Sequence, residues 1–209
     1  MWNKRYPIPV AALLLCLACT FGACSSDNDP AVEQPTAQGV FIDPRDGTSY
    51  HYVHLGGLDW SVENLSYDLG DRNLSRIYQT VDDHARQVES TALRSKYGML
   101  YTRSAAQQAV PEGWRLPTDQ DWAALEATRG YLSSEFSLLY GGYYTKNTYA
   151  SVANGNRFMG SWAYFWTSTP DTLKEGQYCY ARKKFYDTST LQRLSIEPEA
   201  YFLSVRFVR

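Results

Sequence analysis

Alternating apolar and polar positions predict β-strands along much of the chain after residue 39. Residues 40–42 and 50–55 flank a turn whose Asp46-Gly47 pair can adopt positive φ, so they are predicted to form a β-hairpin, and a short strand is expected over residues 58–62. Further strands rich in Tyr, Phe and Trp are predicted over residues 138–145, 158–169, 177–186, 191–196 and 201–208. The pattern is typical of a mostly antiparallel sheet.

Three segments are predicted to be helical: residues 80–96, residues 102–109 and the segment that begins at Thr118. Thr118 offers a capping hydroxyl, and Asp119 and Asp121 put negative charge beside the first free N–H groups of that helix. The charges of residues 82–84, Asp-Asp-His, are interpreted in the same way, as the start of the first helix. Helices that precede or pack beside an antiparallel sheet indicate the α+β class.

The N-terminal segment has the pattern of a bacterial lipoprotein signal peptide. Lys4 and Arg5 precede an apolar run over residues 8–18, and Ala23 is a small residue placed just before Cys24. We therefore predict that residues 1–23 are removed by cleavage between Ala23 and Cys24, and that Cys24 carries fatty acyl groups such as palmitate. The alternatives are lipidation at Cys19 and an uncleaved membrane anchor.

Residues 24–38 are predicted to be the lipidated cysteine and a flexible tether, because they are rich in Ser, Asp, Pro and Gln and lack periodic apolar positions. A flexible segment of this length spans roughly 20 Å, so the folded part would stay near the membrane lipid. The acidic residues after Cys24 resemble a surface-export signal. We expect an outer-membrane lipoprotein that faces the cell surface, with a periplasmic orientation as the alternative.

Charge and length limit which classes of partner and how many domains are expected. The first 23 residues hold two of the 20 basic residues and none of the 22 acidic ones, so the remainder has 18 against 22, a net charge of −4. No basic patch stands out, which argues against nucleic acid as a partner. Residues 39–209 suit one domain with a real core. Cys179 is the sole cysteine after Cys24 and is expected to be a buried small apolar residue.

Several stretches resemble the Fibrobacter succinogenes major paralogous domain, a family found in secreted bacterial lipoproteins. They occur in the family's order: Asp59-Trp60 with Glu63-Asn64-Leu65, Tyr97-Gly98-Met99-Leu100-Tyr101-Thr102, Gly113-Trp114-Arg115-Leu116-Pro117-Thr118 with Trp122, Phe165-Trp166-Thr167-Ser168-Thr169, and Ser204-Val205-Arg206-Phe207-Val208. The resemblance extends over residues 39–209. Physically, Gly113 suits a positive-φ turn, the tryptophans of these stretches suit a core, and Arg115 and Arg206 are expected to pair with carboxylates such as Asp119 or Glu63.

The resemblance implies a C-type-lectin-like domain, related at a distance to formylglycine-generating enzymes, with a twisted antiparallel sheet, two or three helices and long loops. It implies no activity. His51 and His54 are three apart in a predicted strand and would face opposite sides, so no joint metal site is expected. Loop oxygens at Asn154, Asn156 and Asp171 lack the carboxylate density that Ca²⁺ prefers. No catalytic residues, metal or cofactor are therefore predicted.

Aromatic residues around the predicted turns are the candidate ligand-binding residues, because exposed rings can stack on sugars. They are Tyr143, Tyr144, Tyr149, Trp162 and Tyr164. The competing interpretation is that these rings pack the sheet. We hypothesise a surface-anchored, non-enzymatic binding or adhesion module, with glycan as a ligand. The alternative is a structural envelope or pilus-associated component with a protein partner, and an enzyme is disfavoured.

Overall fold

Short antiparallel sheets and three helices make up the part of the chain that the computed structural model describes, which is residues 31–84, 86–146, 156–174 and 176–209. The mixed content confirms the α+β class. The strands are β1 Gln38–Ile42, β2 Ser49–Leu55, β3 Leu58–Ser61, β4 Ser75–Arg76, β5 Gln79–Val81, β6 Gln87–Glu89, β7 Leu100–Tyr101, β8 Tyr143–Thr145, β9 Asn156–Arg157, β10 Trp162–Pro170, β11 Cys179–Phe185, β12 Gln192–Ile196 and β13 Tyr201–Phe202. The helices are α1 Thr91–Tyr97, α2 Arg103–Ala109 and α3 Asp119–Ala127.

The predicted N-terminal hairpin is confirmed. Strand β1 pairs with β2 so that Phe41 lies opposite Tyr50, and β3 adds to the other edge of β2. The Asp43 carboxylate accepts the backbone N–H of Arg45 at 3.0 Å, and Gly47 closes the turn at φ +75°. The left-handed glycine is the turn chemistry that the sequence indicated, and the Asp43 side chain, which binds the backbone two residues on, is an additional feature of the folded turn.

The helix predicted over residues 80–96 is wrong. This stretch forms the β5–β6 hairpin and only then α1. The Asp82 carboxylate accepts the backbone N–H groups of His84 at 2.9 Å and Arg86 at 2.8 Å, so the charged residues 82–84 form a hairpin turn instead of starting a helix. Helix α1 begins later because Ser90 takes the N-cap position and accepts the N–H of Leu93.

The other two predicted helices are confirmed, and so is the cap predicted at Thr118. Thr102 accepts the N–H of Ala105 at the start of α2. At the start of α3, Thr118 Oγ1 accepts the Asp121 N–H at 3.0 Å, while Asp121 Oδ2 accepts the Thr118 N–H at 2.7 Å. This reciprocal capping box fixes α3, which buries Trp122 against the core.

The strands are divided among small sheets in the described ranges, not gathered into one large sheet as predicted. Their orders are β1-β2-β3, β10-β11-β12, β13-β8-β9, β4-β7 and β5-β6. The strand predicted over residues 201–208 is regular only in β13, and the one over residues 138–145 only in β8. Beyond β13 the chain makes isolated bridges that join Leu203 to Tyr101, Ser204 to Phe165, and Val208 to both Trp60 and Arg115. The C-terminal segment therefore ties separate sheets together.

The core contains the four tryptophans expected there: Trp60, Trp114, Trp122 and Trp166. The rings of Trp60 and Trp122 are 4.7 Å apart between centroids, and their edge-to-face contact is typical of aromatic cores. Cys179 is 6% exposed, as predicted for a small apolar residue, and burial raises the pKa of its thiol. Gly113 has φ +79°, as its turn position requires.

The two arginines expected to pair with carboxylates behave differently. Arg115 Nη1 lies 2.5 Å from Asp121 Oδ2, so its partner is a carboxylate of the α3 capping box. For Arg206 the prediction is wrong, because its buried guanidinium donates to backbone carbonyls and to the amide oxygen of Asn64.

Candidate functional site

Three of the aromatic residues singled out in the sequence lie in one continuous row of rings. Tyr143 contacts Tyr164 at 5.0 Å between ring centroids, and Tyr164 contacts Trp162 at 6.1 Å. The row continues from Tyr143 to Phe158 at 5.9 Å and from Trp162 through Phe185 at 4.9 Å to Tyr186, a further 4.6 Å away. We call this row the aromatic ladder; its members are Phe158, Tyr143, Tyr164, Trp162, Phe185 and Tyr186.

Strand register places the central rings of the ladder, Trp162, Tyr164 and Phe185, on one face of the β10–β11 pair. Trp162 and Tyr164 are two residues apart in β10 and therefore share a face. Phe185 is opposite Trp162 across the β10–β11 pair, which brings the third ring alongside. Strand β8 supplies Tyr143, and β13 supplies Tyr201, whose ring flanks the ladder 5.6 Å from Tyr143. The ladder thus spans two sheets.

Exposure differs along the ladder and is greatest at its ends. Phe158 is 53% exposed and Tyr186 58%, whereas Tyr143 and Trp162 are half-buried. Tyr164 is only 9% exposed, and burial raises its pKa to about 12. Tyr164 therefore supports the ladder from below, and the ring surface open to a ligand belongs mainly to Phe158 and Tyr186.

Phe158 is held in its exposed position by a strained turn. Its φ is +60°, a region that bulky side chains rarely occupy. The Phe158 carbonyl accepts the Trp162 N–H at 3.0 Å, and Gly160 donates to the Tyr140 carbonyl at 2.7 Å. Gly142 also packs against this turn, since a Cβ there would lie 1.9 Å from the Arg157 carbonyl oxygen. Strain of this kind is often found at binding sites.

Of the remaining candidates, Tyr144 alone falls within the described residues. The Tyr144 ring points away from the ladder, since it packs on Phe202 at 5.3 Å and under the Arg76 guanidinium at 4.1 Å. Tyr149 lies outside the described residues, as do Ala23 and Cys24.

Three ladder residues were not among the sequence candidates: Phe158, Phe185 and Tyr186. Phe185 lies within β11, whereas Phe158 and Tyr186 are the two exposed members. Each lies next to turn-forming residues, Met159-Gly160 and Asp187-Thr188 respectively, and that position was the one signal available. The exposure of both rings is a property of the folded chain.

Two cationic residues adjoin the ladder. The Lys183 Nζ lies 4.8 Å from the centroid of the Trp162 ring. Arg157 is opposite Tyr143 in the β8–β9 register. Burial raises the pKa of the Tyr143 hydroxyl, and the positive charge of Arg157 acts in the other direction.

A polar cleft of about 470 Å³ lies between β2 and α1. Its main charged groups are already partnered by the protein. The Glu63 carboxylate accepts the His51 backbone N–H at 2.7 Å and contacts its Nδ1 at 2.7 Å, while Arg94 donates to the Ser66 carbonyl at 2.7 Å. These bonds hold the cleft walls together, and they give Glu63 and Arg94 structural roles that require no ligand.

His51, His54 and Asp171, which were considered as metal ligands, each have their own protein partners, and Asn154 lies outside the described residues. His51 contacts Glu63, whereas His54 contacts Asp59 at 2.9 Å. The Asp171 carboxylate accepts from the Ser195 hydroxyl at 2.5 Å. Within the described ranges, no group of three or more His, Cys, Asp or Glu side chains is arranged to hold a metal ion.

Comparison with known proteins supplies one family. The model of the Fibrobacter succinogenes major domain matches residues 53–135, a stretch that contains the first three of the motifs described above. The motifs at residues 165–169 and 204–208 lie beyond the matched residues. No curated protein and no solved structure matches the chain. In the ranges that the structure describes, no helix has the length and apolar character needed to cross a membrane.

Proposed function

Because the chain carries a Fibrobacter succinogenes major domain over residues 53–135, we propose that it is a lipid-anchored, non-enzymatic binding module of C-type-lectin-like fold. The anchor would be Cys24, exposed by removal of residues 1–23, and membrane lipid would hold the domain at the outer membrane. Surface display is the favoured orientation, with a periplasmic orientation as the alternative. The N-terminal sequence pattern supports the anchor.

The ligand would be a glycan, and the observation that carries this proposal is the aromatic ladder. Its two ends expose Phe158 and Tyr186, and they are connected by the half-buried rings of Tyr143, Trp162 and Phe185 and the buried ring of Tyr164. Sugar rings present C–H faces that pack well on aromatic side chains, and aromatic rings in rigid strands give contact area at low entropic cost. The strained backbone of Phe158 supports a functional role for its ring, because strained residues cluster at binding sites.

A glycan array followed by titration calorimetry tests the proposal. The parent protein should bind at least one class of polysaccharide, and Phe158→Ala and Tyr186→Ala should each weaken binding by about tenfold because each removes one stacking ring. Leu173→Ala is the matched control, since Leu173 is 88% exposed and is not part of the ladder. Equal binding by all four proteins would refute a ligand site on the ladder.

A protein partner remains the second candidate because β1 is the edge strand of its sheet in the described part of the chain. Val40 is 55% exposed and Ile42 63%, and both point to the same side of this strand. An edge of this kind can accept an added strand from another protein. Cross-linking in whole cells, with and without Val40→Lys, would identify such a partner as a product that the substitution removes.

A further inference from the structure

Two cations border the aromatic ladder, one towards each of its ends. Lys183 lies opposite Tyr164 in the β10–β11 register, and its Nζ is 4.8 Å from the Trp162 ring centroid. Arg157 lies opposite Tyr143 and immediately precedes the exposed Phe158. Any chain that stacks along the ladder would therefore pass both positive charges.

The placement of Lys183 differs from that of its neighbour Lys184. The Lys184 Nζ is turned to the opposite face of β11, where it donates to the Tyr140 hydroxyl at 3.1 Å and to the Phe185 carbonyl at 3.1 Å. Those bonds give Lys184 a structural role. Lys183 instead keeps its ammonium beside a half-buried indole, where an incoming anion would meet a charge in a less polar setting than bulk water.

This surface has two kinds of recognition element, aromatic rings and cations, and acidic polysaccharides have groups that match both. Exposed rings suit the C–H faces of sugars, and lysine and arginine side chains suit carboxylate or sulfate groups. A neutral polysaccharide would leave both cations without ionic partners. Two exposed rings at opposite ends also favour an extended chain over a single terminal sugar.

Resting on the glycan-binding function proposed above, we infer that the ligand is an acidic polysaccharide, bound lengthwise from Phe158 to Tyr186, whose carboxylate or sulfate groups pair with Arg157 and Lys183. The rings would supply stacking and the cations would supply selectivity for charge.

The test compares ligands that differ only in charge. Titration calorimetry of the whole chain in detergent would use long oligogalacturonates and their methyl-esterified counterparts, with a sulfated galactan as a second acidic ligand. We expect the free acid to bind about tenfold more tightly than the ester, since each tenfold corresponds to about 1.4 kcal/mol and charged hydrogen bonds are of that order. Raising the salt concentration should weaken the acid form and leave the ester unchanged. Monomeric galacturonate should bind much more weakly than the long chain.

Substitutions then locate the effect. Lys183→Gln and Arg157→Gln should each reduce the preference for the acid while binding of the ester is retained. Lys96→Gln is the matched control, because Lys96 is an exposed lysine that lines the polar cleft instead of the ladder. It removes the same charge and should leave the preference intact.

The outcomes separate the two proposals. Equal affinity for acid and ester, with no effect of salt, would overturn this inference while leaving glycan binding in place. Failure to bind any glycan would overturn both. Preference for the sulfated galactan over the oligogalacturonate would support the inference with sulfate as the charged group. The ester and salt comparisons use the parent protein, so they decide the question even where a substitution prevents folding.

Discussion

Arg206 donates from Nε to Oδ1 of Asn64 over 2.8 Å, and both side chains are buried. The Asn64 amide in turn donates to the Tyr97 carbonyl at 2.9 Å, so one asparagine links the C-terminal segment to the end of α1. The rest of the guanidinium donates to the carbonyls of Ser61 at 2.7 Å and Ser137 at 2.8 Å. Asn64 and Tyr97, which lie within the residues matched by the family model, thus meet Arg206 of the C-terminal segment at one buried hydrogen-bond network with an architectural role.

Replacing Asn64 by leucine should destabilise the protein strongly. Burial lowers the pKa of Arg206 to about 9, so the guanidinium stays charged at neutral pH and would lose one acceptor. A lost hydrogen bond to a buried charge costs about 1.5–3 kcal/mol, so we expect Asn64→Leu to lower the free energy of unfolding by about that amount in urea titrations. Asn73→Leu, at an exposed position, should change it by less than about 0.5 kcal/mol. Similar losses in the two variants would contradict the network's importance.

Gly98 and Gly113 offer a matched pair that separates backbone strain from steric clash. Both have positive φ, +74° at Gly98 and +79° at Gly113. A Cβ added at Gly98 would lie 2.6 Å from the Leu65 carbonyl oxygen, whereas a Cβ added at Gly113 would meet open space, with no obstructing atom of the described residues within 4 Å. Gly113→Ala should cost about 1 kcal/mol from strain alone. Gly98→Ala should cost about 3 kcal/mol or more, because a backbone oxygen must also move. Thermal unfolding of the two variants measures the difference, and equal shifts would refute the clash.

Acid should weaken α3 through Asp121. Burial acts to raise the pKa of this carboxyl, but the hydrogen bonds from Arg115 and Thr118 outweigh it, so the pKa lies below its usual value of 3.8. A carboxyl whose pKa is lower in the folded state stabilises the protein above about pH 4, and this contribution is lost as the pH falls through the folded-state pKa. Asp121→Asn should lower stability at pH 7 by about 1 kcal/mol and flatten its dependence on pH below 4.

Urea titrations at a series of pH values would measure this effect. Asp83→Asn is the control, since Asp83 is exposed in the β5–β6 turn. A variant at Asp121 whose acid sensitivity equals that of the parent would show that the capping box does not contribute.

Elements fixed by local chemistry could be predicted from the sequence. The predicted cap residue Thr118 acts on a backbone group within three residues, and Gly47 meets a requirement of its own turn. The helix predicted over residues 80–96 was wrong because the spaced apolar residues of this segment fit a short hairpin as well as a helix. The hydrogen bonds that the Asp82 carboxylate accepts stabilise a turn there, and the apolar pattern does not indicate this turn.

Long-range packing limited prediction of the candidate site. Tyr164 lies three residues after the Gly160-Ser161 turn but is buried, and the C-terminal segment runs alongside it, where the Ser204 N–H donates to the Tyr164 carbonyl at 3.2 Å. Phe158 became exposed through a positive φ that no local signal assigns to phenylalanine. The surroundings of Tyr164 thus include residues about 40 positions away in the chain, beyond the reach of a periodicity argument, whereas the exposure of Phe158 depends on its own backbone conformation.

Replacing Phe158 should change glycan binding without a matching change in the free energy of unfolding. Its left-handed backbone costs on the order of 1 kcal/mol, and its ring contributes about as much through contact with Tyr143. Phe158→Gly removes both terms, so we expect the free energy of unfolding to stay within about 1 kcal/mol of the parent. Glycan binding should nevertheless fall by about tenfold, since the exposed ring is gone.

Tyr164→Ala is the informative contrast, because that ring is the buried member of the ladder. Loss of a buried aromatic side chain should lower the free energy of unfolding by about 3 kcal/mol or more. Urea unfolding and calorimetry on both variants measure the two effects side by side. Were Phe158→Gly to destabilise the protein as much as Tyr164→Ala does, the strained phenylalanine would be a packing residue, and the proposed role of its exposed ring in ligand binding would lose its main support.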